Sequence, residues 1–270
     1  MSDAPEVSLW QPERELLSNA RAGVGTCVAV VRRSPDRGEH EPCEDVAGLV
    51  SWGDVCVMLV ADGVGGHPGG AAASRLVLET VAQQLPVVVP SGQALPMAVL
   101  AAIQDANDKL LALRGGAATT VLATVVDGER LWSCHAGDSE LMVVGQRGRM
   151  KHHTVSHTPV SYGSEAGLIA PDEQLDHAER HLISSWVGMP AMRVEVASSV
   201  PLAKRDTIVL ASDGLWDNLH LREVAEVVRT GPLEAAAQEL LAICDRRMAG
   251  ADTKVAGKPD DLGILIYRAR

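Results

Sequence analysis

The chain has 270 residues and a formal net charge of −11 at pH 7, from 24 Lys and Arg against 35 Asp and Glu. That acid excess argues against nucleic acid or an anionic membrane surface as the main partner, because phosphate backbones and lipid headgroups are held chiefly by Lys and Arg. With no Phe, two Tyr and five Trp in a chain that is 46% hydrophobic, the core has to be aliphatic, and stacking platforms for single-stranded nucleic acid are scarce.

Residues 1–20 read as an N-terminal appendage without an apolar leader, broken by Pro5 and Pro12, with room for a short helix over 12–20. The five cysteines, Cys27, Cys43, Cys56, Cys134 and Cys244, form no CxxC pair, so reduced, mostly buried thiols and a cytoplasmic protein are expected. Apolar periods become regular from Gly23. The runs 26–31 and 55–61 lack polar interruption and predict strands covered on both faces. Two helices follow, over 71–85 with a stop at Pro86, and over 95–113 with Pro96 in the first turn and Gly115-Gly116 as the stop.

The pattern then returns to strands. Residues 119–126 and 130–135 flank Asp127-Gly128, the strongest hairpin signal in the chain, and 141–144 extends the meander to a turn over 145–148. Periodicity fades over 151–193, which predicts short helical pieces at most and a lid or substrate-facing insert. A strand over 206–212, helices over 219–229 and 232–248, and a last strand over 262–268 complete the order. Blocks of strands and helices, rather than strict alternation, predict an α+β fold with largely antiparallel sheets covered by helices, as one domain over 21–270.

Acidic residues recur where strands begin or end: Glu44-Asp45, Asp62-Gly63, Asp138, Asp213-Gly214 and Asp260-Asp261. Each alone is an ordinary turn signal, since Asp and Gly both favour turns. Together they pose a problem, because antiparallel strands could bring them to one end of the sheets. Two carboxylates roughly 5 Å apart repel by about 3 kcal/mol at an effective dielectric near 20. Divalent cations resolve that conflict. An all-oxygen set selects hard ions, Mg²⁺ or Mn²⁺, over Zn²⁺. The trio His152, His153 and His157 lies in the irregular stretch without a fourth ligand at suitable spacing and reads as a solvated loop; Cys43 reads as a small residue beside the acids.

These residues carry a resemblance. Glu44-Asp45, Asp62-Gly63-Val64-Gly65-Gly66-His67, Thr119-Thr120, Ala136-Gly137-Asp138-Ser139, Ser212-Asp213-Gly214-Leu215-Trp216-Asp217 and Asp260-Asp261 resemble, in order, the motifs of the PPM or protein phosphatase 2C family, its bacterial branch above all. These are metal-dependent protein Ser/Thr phosphatases. The resemblance implies a four-layer α-β-β-α sandwich with a metal cleft at one end of the sheets, and a flap within 151–193. It implies that Asp62 bridges two metals, with Asp45 and the Gly63 carbonyl completing one and Asp213 and Asp260 holding the other. Asp138 with Asp213 would serve a third, weaker site, and Glu44 would act through water. The implied activity is hydrolysis of phosphoserine and phosphothreonine in proteins by a water that two metals activate, opposing a cognate Ser/Thr kinase, in a monomer with no nucleic-acid or membrane partner. The alternatives are a catalytically weak binding protein of the same fold and a two-metal phosphoesterase for small molecules.

Two departures stand out. The family usually places an Arg five residues before the ligand Asp, to grip the substrate phosphate, whereas this chain has His40; Arg37, Arg33 or Arg32 from a shifted loop, or His40 itself, are the candidates for that task. Asp261 stands where the family usually has Asn, and the expectation is that it either tightens metal binding or does little.

Overall fold

The computed structural model describes residues 5–10, 15–23, 25–38, 40–88, 94–170, 173–175, 177–252 and 257–269. The apolar runs become the strands of two stacked antiparallel sheets. The first has the order β1 (Glu6–Trp10), β4 (Val46–Trp52), β5 (Val55–Ala61), β6 (Val121–Asp127), β7 (Arg130–Ala136) and β10 (Glu195–Val196), with β11 (Val200–Pro201) also on β7. The second runs β2 (Glu15–Ala22), β3 (Gly25–Arg32), β13 (Leu262–Ala269), β12 (Thr207–Ala211), β8 (Glu140–Val144) and β9 (Met150–His153). Helices α1 (Gly70–Val88) and α2 (Leu95–Leu113) cover the first sheet, and α5 (Leu221–Val228) and α6 (Leu233–Met248) cover the second. Two shorter helices, α3 (Pro159–Glu165) and α4 (Asp213–Trp216), lie in the connections. Among the described residues no helix is long and apolar enough to cross a membrane.

Four layers follow from which side chain meets which core. In β5, Val57, Leu59 and Ala61 pack under α1 and α2, while Cys56, Met58 and Val60 pack between the sheets. In β13, Ile264 and Ile266 meet α5 and α6, while Leu265 and Tyr267 face the other sheet. Successive strand residues point to opposite faces, and in the central strands both faces are covered, so their side chains are mostly apolar. Each aliphatic side chain so buried contributes roughly 1.5–3 kcal/mol, which makes three aliphatic cores sufficient without Phe.

The fold departs from the sequence expectations in four places. Residues 6–10 and 15–22 are strands woven onto the sheets: β1 pairs with β4 and β2 with β3, so the expected appendage and its helix over 12–20 give way to edge pairing. Residues 12–14 of that helix lie outside the described residues. An open edge on β3 would leave its N–H and C=O groups without partners, and β2 satisfies them. Helix α1 runs through Pro86 to Val88, two residues past the expected stop. The hairpin pairs Asp127 with Arg130, shifting the two-residue loop to Gly128-Glu129, where only Gly128 takes a positive φ, of 55°. Finally, the insert over 151–193 begins as strand, with β9 antiparallel to β8.

Candidate active site

Strand registers assemble the acids. Val46 pairs with Ala61, which sets Asp45, just before β4, beside Asp62, just after β5. Ala211 pairs with Ile264, so Asp213 beyond the end of β12 meets Asp260-Asp261 before the start of β13. Asp138 follows β7, whose last residue, Ala136, pairs with Val121 at the start of β6. Just before that start, Thr120 and Thr119 grip the Asp62 backbone: Thr120 N donates to Asp62 O at 2.7 Å, Thr119 Oγ1 donates to the same oxygen at 2.8 Å, and Asp62 N donates to Thr120 Oγ1 at 3.0 Å. Two glycines permit the close approaches. A Cβ at Gly63 would meet the Gly70 backbone at 2.6 Å, and one at Gly214 would meet the Asp261 carbonyl oxygen at 1.9 Å.

The result is a cleft of about 330 Å³ at one end of the sheets, lined by Glu44, Asp62, Gly63, Asp138, Asp213 and Asp260 together with Arg37 and Lys258. Asp45 lies behind it, fully buried, with Oδ2 accepting from Ser212 Oγ at 2.5 Å. Burial and the neighbouring carboxylates hold Asp45, Asp62 and Asp138 well above the usual carboxylate range, and they push Asp260 and Asp217 up to about 6. Asp45 Oδ1 and Asp213 Oδ1 are buried with no hydrogen-bond partner among the described residues. Such orphans are costly, and an oxygen-only donor set with two of them fits hard divalent cations.

A pH test follows from these shifts. Carboxylates raised above 3.8 bind protons in the folded state that the unfolded chain has released, so their stabilising contribution is present at low pH and lost as pH rises through the folded values, near 6 for Asp217 and Asp260. A divalent cation removes that loss by replacing the protons. The gain in Tm on adding Mn²⁺ is therefore expected to grow from about pH 5 to about pH 7.5; a gain that shrinks over that range would contradict the cluster electrostatics.

The structure separates the candidates for the phosphate grip. Arg37 lines the cleft, with Nε donating to Asp261 Oδ1 at 3.0 Å and Nη2 to Glu44 Oε2 at 2.5 Å. The other three do not line it. His40 is exposed on the loop, Arg33 Nη1 donates to the carbonyls of Gly38 and Glu41 at 3.1 Å each, and Arg32 pairs with Asp245 on α6. Asp261 explains the choice: its buried carboxylate accepts from Ser34 N at 2.6 Å, Glu44 N at 2.7 Å and Arg37 Nε, fastening the loop that carries Arg37. Its role lies with this loop, which neither sequence expectation for it foresaw.

Sequence reading also missed Lys258, His181 and Ile183 on the cleft, the last two from the insert after α3. A cation two residues before Asp260 was the available signal for Lys258. The histidine trio is not a solvated loop: His152 and His153 sit on β9, with His153 against Glu140, and His157 is buried with its ring 4.7 Å from that of His135. Cys43 is buried, its thiol donating to Asp45 O at 3.6 Å, and burial pushes its pKa up, away from reactive thiolate.

Comparison with known proteins places this arrangement. A family model described as "Protein phosphatase 2C" matches residues 36–249. "Serine/threonine protein phosphatase PstP" of Mycobacterium tuberculosis is 28% identical over 217 residues, covering 78% of this chain and 40% of that protein, so the chain spans about two fifths of the length of this relative. "Serine/threonine phosphatase stp" of Listeria innocua is 24% identical over 183 residues, covering 64% of this chain and 72% of that protein. Among solved structures, that of the M. tuberculosis PstP/Ppp phosphatase superposes with a TM-score of 0.73 at 23% identity, over 90% of this chain and 98% of that one. The PstP catalytic domain in complex with two manganese ions gives 0.70 at 22% identity, over 90% of this chain and 96% of that one.

Proposed function

The chain belongs to the protein phosphatase 2C family, and on that premise we propose that it removes phosphate from phosphoserine and phosphothreonine in proteins, opposing a Ser/Thr kinase. The observation that carries this reading is the acid cluster with its orphaned carboxylate oxygens, shared with the cleft that Arg37 lines. Asp45, Asp62 and the Gly63 carbonyl would hold one divalent ion, and Asp62, Asp213 and Asp260 the other, with Asp138 and Asp213 available to a third. Bound there, Mg²⁺ or Mn²⁺ supplies the Lewis acidity that activates water and offsets charge on the phosphoryl oxygens.

The rest of the task falls to the chain's own groups. Arg37 presents guanidinium donors to the phosphate, held in place by Glu44 on one side and Asp261 on the other. Asp62, whose backbone Thr119 and Thr120 fix, has its carboxylate positioned before any ligand arrives. Water is the nucleophile, so no reactive Ser or Cys is required, consistent with five free, buried cysteines. Those thiols also suit a reducing cytoplasm. All the donors named above come from one chain, so the proposed site needs no second copy. Arg37 in the cleft removes the motive for the weak-binder alternative, which rested on His40.

The test is hydrolysis of p-nitrophenyl phosphate and of a phosphothreonine peptide, with Mn²⁺ or with EDTA. Activity is expected on both substrates with Mn²⁺ and none above background with EDTA. Metal-independent hydrolysis would overturn the assignment, and activity on nucleotides but not on the peptide would favour the small-molecule phosphoesterase.

A further inference from the structure

Besides Arg37, the acid cluster contains a second cation, Lys258. Its Nζ lies 2.6 Å from Asp213 Oδ2, 2.9 Å from Asp217 Oδ2 and 2.9 Å from Asp260 Oδ2. Its backbone is pinned in both directions by one buried side chain: Asn218 Nδ2 donates to Lys258 O at 2.9 Å, and Lys258 N donates to Asn218 Oδ1 at 3.0 Å. Asn218 in turn donates to Gly214 O at 2.9 Å, so the turn that carries Asp213 and the segment that carries the lysine are fastened together.

Two of those three carboxylates, Asp213 and Asp260, are the pair assigned above to the second divalent ion. We infer that Lys258 is a tethered counter-ion that competes with the divalent ion for Asp213 and Asp260. The inference rests on the metal-dependent reading of this site and deepens it. An ammonium cannot share two ligands with a dication at hydrogen-bonding distance without strong repulsion, so the side chain has to swing out when the ion enters. Four methylenes on a pinned backbone allow that movement without refolding the loop. The lysine stabilises the empty site and at the same time raises the metal concentration needed to fill it.

Calorimetric titration of metal-stripped protein with MnCl₂, together with thermal melts in EDTA, tests this. Lys258→Met is expected to bind its weaker Mn²⁺ at least tenfold more tightly than wild type, or to bind one ion more, while its metal-free Tm falls. Lys258→Arg keeps the charge and is expected to leave the affinity within a few-fold of wild type, which covers the case in which the methionine variant folds only with metal. Unchanged or weaker Mn²⁺ binding by Lys258→Met, with a higher KM for phosphopeptide, would overturn the proposal and make the lysine a phosphate contact. If neither wild type nor variant binds Mn²⁺, the metal-dependent reading itself falls; if wild type binds two ions and hydrolyses the peptide while the variant binds them identically, only the lysine proposal falls.

Discussion

Asp62→Asn is expected to lower kcat/KM for a phosphothreonine peptide by roughly a hundred- to a thousandfold, the scale seen when preorganised charge at a reacting centre is removed. Asn keeps the size of the side chain and the grip that Thr119 and Thr120 exert on the backbone, so the loss isolates the carboxylate. The same substitution is expected to raise the Tm of the metal-free protein. Asp62 is half-buried and faces Asp45, Asp213, Asp260 and Asp138, all of which disfavour its charge. An active site that works by concentrating like charges is unstable when empty, and neutralising its centre trades turnover for stability. Unimpaired turnover in Asp62→Asn would refute the placement of the site. A loss of activity accompanied by a lower metal-free Tm would show that the variant had damaged the fold instead.

Arg37→Ala carries the second large effect. Hydrogen bonds to charged partners contribute about 1.5–3 kcal/mol each, so losing the guanidinium is expected to raise KM for the phosphopeptide by roughly ten- to a hundredfold. Lysine is not expected to rescue it, because a single ammonium cannot span Glu44, Asp261 and a phosphate at once. Asp261→Ala, which removes the partner of Arg37 Nε, should shift KM in the same direction. His40→Arg is the control: the exposed position lies off the cleft, and steady-state constants should stay within about twofold. A marked fall in KM for His40→Arg would show that the loop re-forms around position 40 and that Arg37 is not the phosphate grip.

The clustering of the acids was legible in the sequence because each stands at a strand end beside residues whose conformational preferences are strong. Val46, Ala61, Ala211 and Leu262 bound apolar runs, and the runs themselves set the registers that bring Asp45 to Asp62 and Asp213 to Asp260. The strands at residues 6–10 and 15–22 were not legible. They are edge strands, and an edge is decided by the unpaired backbone of its neighbour more than by its own side chains. The choice among Arg32, Arg33, Arg37 and His40 was equally out of reach. It depends on Asp261, more than 200 residues away in the chain, whose carboxylate collects Ser34 N, Glu44 N and Arg37 Nε. Only in three dimensions does Asp261 meet the loop that carries Arg37.

The position of β13 bears on how the protein is made. That strand lies between β3 and β12, pairing Ile266 with Val28 on one side and Val209 on the other, so the second sheet has a gap at its centre until residues 262–269 have left the ribosome. Contacts that close so long a loop form late. Asp260 and Asp261 arrive with that strand, and Arg37 Nε waits for its partner Asp261. A nascent chain that has folded everything upstream therefore lacks one carboxylate of the cleft, Asp260, and the partner that holds Arg37 Nε.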